Sequence, residues 1–126
     1  MLAQLGGVSE RLDLDRVSVI ERGDVRWFRF EAPDKRRPVL VLGRNDMLAA
    51  LTQVPVIPLS SQIRGLRWEV RLSTADGLPS ECVLKPEWIK AVDRVSLGPW
   101  IARFPHARWD EVETALLDVL GFAIQP

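Results

Sequence analysis

Residues 34–46 read DKRRPVLVLGRND. Three consecutive cations, Lys35, Arg36 and Arg37, lead through Pro38 into Val39-Leu40-Val41-Leu42, and Gly43 closes the run. A strand with one wet face alternates apolar and polar residues, so four apolar residues in succession mark a strand covered on both faces. Arg37–Gly43 is therefore read as a buried strand with its positive end left at the mouth.

The elements on either side follow the same rules. DVRWFRFE, Asp24 to Glu31, is aromatic-rich and reads as a strand, and Ala32 to Arg36 is a loop with Pro33 and Asp34 as turn residues. Asn45 is placed to cap a short helix from Asp46 to about Thr52. Val54–Leu59 is a further strand. Pro55 and Pro58 lack amide donors, which predicts an edge or irregular strand. Arg67–Ser73 alternates, with Trp68, Val70 and Leu72 on one face and Arg67, Glu69 and Arg71 on the other.

TADGLP is a turn. Cys82–Leu84 and Ile89–Val92 read as short strands around Pro86, and Gly98–Phe104 as another. The last segment has the clearest helical period. Trp109, Val112, Leu116 and Val119 form one stripe with Ala115 and Leu120 beside it, Asp110 and Glu111 suit the N-terminal dipole, and Gly121 is the stop. The fold class expected is mainly β (α+β): five to seven short strands in a small curled sheet or barrel, with a short inserted helix and a long C-terminal helix. The order is not a repeated strand–helix–strand winding, and no GxGxxG or P-loop occurs.

Residues 1–20 stand apart as an N-terminal extension to a domain over residues 21–126. Leu2, Leu5, Val8 and Leu12 have helix-like spacing that Gly6 and Gly7 interrupt. The segment reads either as a loosely docked tail or as a helix covering part of the domain or a partner.

Composition narrows the function classes. The chain has 126 residues, 47% hydrophobic and 27% charged, which fits one globular domain. Seventeen basic residues balance 17 acidic ones, so a polyanion partner must be held by a local patch rather than by bulk charge. Cys82 is the one cysteine and His106 the one histidine, which excludes a disulfide framework and a His-rich or cysteine-only metal site. A reducing cytoplasm is the expected location. No apolar run approaches the roughly 20 residues of a membrane span, and the N-terminus lacks the pattern of a signal peptide.

Five stretches in order, RGDVRWFRF, RRPVLVLGRND, VIPLSSQIRG, EVRLSTADGLPSECVL and IKAVDRVSLGPWIARF, resemble the MazF/PemK family of bacterial toxin endoribonucleases over about Glu21 to Gly121. The resemblance implies an SH3-like barrel and a homodimer. It also implies metal-independent, sequence-preferring cleavage of single-stranded RNA with no cofactor, and a cognate antitoxin that blocks the site with a flexible acidic segment. A second function class, a non-catalytic SH3-like binding module or a CcdB-like gyrase poison, shares the fold and stays open here.

The resemblance also assigns roles. Arg37, ahead of Pro38, matches the family's catalytic arginine, whose natural role is to grip phosphate electrostatically. Otherwise it is a solvated cation at a strand end. PLSSQ resembles the family step PLTSQ, so Ser60 matches a phosphate-contacting hydroxyl, with Ser61 and Gln62 beside it. Glu87 and Lys85 fall opposite an acid–base pair used by some members, with Glu87 as base and Lys85 as acid or charge stabiliser; the other reading is a surface ion pair. Asp34, Lys35, Arg36, Arg64 and Trp88 complete the expected RNA-binding set, Trp88 by stacking on a base. Arg67 and Arg71 either extend the positive groove or solvate a strand. Trp68 and Trp109 are expected in the core, Cys82 as a small buried residue, and His106 at the surface or as a cap. The first loop, EAPDKRRP, is shorter than in many members and has no glutamate next to Arg37, leaving Asp34 as the nearest carboxylate in sequence.

Overall fold

The computed structural model describes residues 19–31 and 36–122. Asp34, Lys35 and residues 1–18 of the extension lie outside the described residues. Among the described residues seven strands and two α-helices follow one another, with short 3₁₀ turns between them: β1 (Asp24–Arg29), β2 (Arg36–Val41), α1 (Asn45–Leu48), β3 (Gln53–Ser60), β4 (Val70–Leu72), β5 (Cys82–Leu84), β6 (Lys90–Asp93), β7 (Trp100–Arg103) and α2 (Trp109–Val119). The strands run β4-β5-β3-β2-β1-β7 with β6 also on β3, and every pairing is antiparallel. The result is a curled sheet, a half-barrel closed by the C-terminal helix. None of the helices among the described residues is long and apolar enough to cross a membrane.

The unbroken apolar run in β2 has the expected cause. Leu40 and Leu42 join Val25, Ile57, Leu59, Phe104, Val112 and Ala115 in the core beneath α2. Val39 and Val41 face the other way, into a second core with Val54, Val56, Val92, Leu48 and Leu97. Alternate residues of one strand thus serve two cores, because successive side chains leave opposite faces. Gly98 sits where a β-carbon would meet the Trp27 carbonyl oxygen at 2.9 Å, and its amide donates to that oxygen over 2.8 Å. A larger residue there would push β1 away from the strand that follows.

Four expectations need correction. Asn45 is the first residue of α1 rather than its cap. The cap position is Arg44, and the Asn45 side chain instead accepts from the Arg22 amide at 2.8 Å. β3 is no edge strand: it pairs with β2, β5 and β6, and Pro55 and Pro58 sit in regular register opposite Ala91 and Val39. β4 begins at Val70, because residues 67 and 68 form a turn. Glu69 therefore does not share the outward face of Arg67 and Arg71; its side chain is only 3% exposed. In α2, Val112 and Ala115 are buried as the stripe requires, whereas Leu120 lies beyond the helix end and is exposed. Gly121 follows with φ +83, the left-handed stop.

Candidate active site

The site arises from a change of partner along β3. Val56, Ile57 and Pro58 pair with Val41, Leu40 and Val39 of β2, and then Leu59 and Ser60 pair with Leu84 and Val83 of β5. Continuing the β2–β3 register two residues past Val39 and Pro58 brings Arg37 across from Ser60, where no ladder closes the gap. Pro38 and Pro58, neither with an amide hydrogen to donate, flank the place where pairing stops. A cleft of about 460 Å³ opens there. Arg36, Arg37, Ser60, Ser61, Gln62, Trp27 and Trp88 line it, with Pro79 and Ser80 from the β4–β5 connection and Cys82 from β5.

The lining is electropositive and aromatic. The Arg36 guanidinium lies 4.4 Å from the Trp27 ring centre and that of Arg37 lies 5.5 Å from Trp88. Such cation–π contacts steady a charged head against a ring face. Ser60 Oγ accepts the Gln62 amide at 3.0 Å, a side-chain turn that sets the start of the 60–62 loop and leaves the hydroxyl hydrogen to donate. Cys82 is buried. Burial, with Asp76 and Glu81 adding to it, pushes its thiol up to about 11, so it stays protonated at neutral pH and is no thiolate nucleophile.

Behind Trp88 lies a second constellation. The Lys85 ammonium donates to Glu69 Oε2 at 2.9 Å and stands 3.3 Å from Glu87 Oε2, and the Trp68 indole donates to Glu87 Oε1 at 3.1 Å. Glu69 Oε1 meanwhile accepts from the amides of Gly65 at 2.8 Å and Leu66 at 3.2 Å, with Arg64 beside them. Burial on its own would raise the Glu69 carboxyl, but the Lys85 bond and these three amides outweigh it and hold the group below its ordinary value. Lys85 and Glu69 are each 3% exposed, and Lys85 Nζ sits 5.3 Å from the Trp88 ring centre.

The structure thus brings Arg36, Arg37, Ser60, Ser61, Gln62 and Trp88 into one cleft. Lys85 and Glu87 meet each other as a pair, but neither is among the residues lining that cleft. Arg64 contributes a backbone amide to Glu69, and its side chain is exposed outside the lining. Arg67 is held by Asp118 of α2 at 2.9 Å, while the Arg71 carbonyl accepts from Arg108. His106 is exposed in the turn before α2, and Trp68 and Trp109 pack on the core. Glu69 carried no sequence signal, since strand alternation assigned it to solvent. Among the described residues, no three His, Cys, Asp or Glu side chains are placed to hold a metal ion.

The profile of the family described as PemK-like, MazF-like toxin of type II toxin-antitoxin system matches residues 21–120. The chain belongs to this PemK/MazF toxin family. Endoribonuclease MazF3 of Mycobacterium tuberculosis is 32% identical over 90 residues, covering 71% of this chain and 84% of the relative. The M. tuberculosis toxin MazF-mt6 superposes with a TM-score of 0.73 at 25% identity, over 80% of this chain and 99% of the other. MazE–MazF from Deinococcus radiodurans gives a TM-score of 0.70 at 26% identity over 83% of this chain and 99% of the other. The residues that match the PemK/MazF profile take in the seven strands and two α-helices described above and every described residue lining the cleft.

Proposed function

We propose that this protein is an endoribonuclease that cuts single-stranded RNA in the Arg37–Ser60 cleft by internal transfer. The 2′-oxygen attacks the adjacent phosphorus and gives up its proton to solvent water. The bond to the 5′-oxygen breaks, and that oxygen takes a proton from water, giving a 2′,3′-cyclic phosphate and a 5′-hydroxyl. The nucleophile belongs to the substrate, which suits a cleft whose ionisable lining groups, among the described residues, are Arg36, Arg37 and Cys82. The observation that carries the reading is that Arg37 and Ser60 line one cleft where β3 leaves β2. A guanidinium fork stabilises the crowded, doubly negative phosphorus, and the Ser60 hydroxyl with the loop amides that follow holds a non-bridging oxygen. No metal step enters this reaction, so cleavage should persist in EDTA.

Glu87 and Lys85, assigned the proton transfers from sequence, have a different role in this proposal. Their charged groups are already engaged with Trp68, Glu69 and each other, and they fix the Trp88 wall from behind. Glu87→Gln is therefore expected to raise KM several-fold while leaving the pH profile of kcat where it was. A displaced limb in that profile would return the proton transfer to Glu87.

Structural neighbours solved as toxin–antitoxin complexes support a cognate antitoxin as partner; the proposal adds a homodimer in the cytoplasm, with an acidic segment of the antitoxin occupying the cationic cleft. Incubating purified protein with unstructured RNA in EDTA and sequencing the cut ends tests the central reading. Intact RNA alongside well-folded protein at micromolar concentration would favour the binding-module alternative.

A further inference from the structure

Arg37 and Trp88 form a wall with a cavity on each side. One side is the cleft already described. On the other lies a separate hollow of about 300 Å³, lined by Phe30, Arg37, Pro58, Trp88 and Lys90. Nothing in the proposed phosphate chemistry uses this second space. We infer that it is a nucleobase subsite, taking the base of one nucleotide next to the scissile phosphate and setting the sequence preference at that position. The inference rests on the ribonuclease reading.

The lining fits a flat, π-faced group that carries acceptors and is tied to an anion. Two aromatic rings, Phe30 and Trp88, stand on it with Pro58, and stacking on such rings is how single-stranded bases are held. Phe28 meets Phe30 edge-on at 4.9 Å between centroids, which fixes the Phe30 plane from behind. Two cations reach the same ring: Arg37 lies 5.6 Å and Lys90 5.3 Å from the Phe30 centroid. Arg37 is thus shared: it lines both cavities, and its guanidinium faces the rings of Phe30 and Trp88. A phosphate held by Arg37 leaves the attached nucleoside only a short reach across the wall. Lys90, exposed on β6, supplies a single movable donor at the rim and favours a base edge with a carbonyl acceptor.

The experiment compares short RNAs carrying one abasic nucleotide at successive positions around the cut, using wild type, Phe30→Leu and Lys90→Ala. For wild type, the abasic substitution at one flanking position should lower kcat/KM by roughly 5- to 150-fold, the range that stacking of one base supplies. Phe30→Leu keeps an apolar side chain on the core but removes the ring, and should shrink that ratio several-fold at the same position. Lys90→Ala, a surface change, should relax the base preference there in the sequenced cut ends. An intact-to-abasic ratio that is the same in wild type and Phe30→Leu at every position, with the preference of Lys90→Ala unchanged, overturns the subsite and leaves the nuclease standing. Wild type that neither cuts the RNA nor binds a 2′-deoxy analogue of it overturns both.

Discussion

Arg37→Ala is expected to lower RNA cleavage by at least about 10³-fold while the protein still folds. Removing one pre-organised donor from a developing anion costs on the order of 10²–10³ in rate, and a bidentate cation at the phosphorus stands at the upper end or beyond. Arg37 sits near the open end of β2, and the contacts with the rings of Phe30 and Trp88 are worth about 0.5–1 kcal/mol each at an accessible site. Circular dichroism melts should therefore differ by only a few degrees, while the gel assay in EDTA shows no product in the time wild type consumes its substrate. Arg37→Lys keeps the charge but loses the planar fork, and should recover only part of the rate. An Arg37→Ala protein that cuts at the wild-type rate would remove the cleft from the mechanism.

The second large effect falls on stability. Glu69→Ala should destabilise the fold by about 3–5 kcal/mol, the cost of removing one partner from a buried ion pair. Lys85 would keep only Glu87, at 3.3 Å, and the amides around Gly65 would lose their shared acceptor. In a thermal melt the midpoint should fall by more than about 10 °C. Glu69→Gln keeps the shape and one acceptor oxygen and should lie between.

The pH dependence has a definite sign. The Glu69 carboxyl titrates below its ordinary value of 4.5 in the folded protein. Its contribution is fully present above that value and is lost as pH falls through the lowered one. Wild type should lose stability faster than Glu69→Gln on acidification below about pH 4.5. A Glu69→Ala melt within two or three degrees of wild type would show that the Lys85 network is not holding the fold.

Much of the architecture was legible because it is periodic. The apolar run Val39–Leu42 announced a strand covered on both faces, and its residues do divide between two cores. The stripe through Trp109, Val112 and Leu116 announced α2, and Gly121 its end. Arg37 and Ser60 were legible as a pair only through the resemblance of RRP and PLSSQ to known toxins, since a charge run and a polar loop each have commoner explanations. Glu69 was misread for a physical reason. Strand alternation places it with Arg67 and Arg71, but the turn at residues 67 and 68 breaks the alternation, and Lys85 with the amides of residues 64–66 offers enough partners to bury a carboxylate.

The sequence by itself determined which segments become strands and which become the terminal helix, because those choices rest on periods of two and of 3.6 residues within short windows. It also carried the family, in the order of five short stretches. Tertiary structure decided where β3 changes partner, that Trp27 and Cys82 reach the cleft, that Lys85 and Glu87 pair with each other and do not line it, and that Arg37 borders two cavities. These depend on pairings between residues far apart in the chain, and on which buried charge finds a partner. Local composition does not encode such contacts.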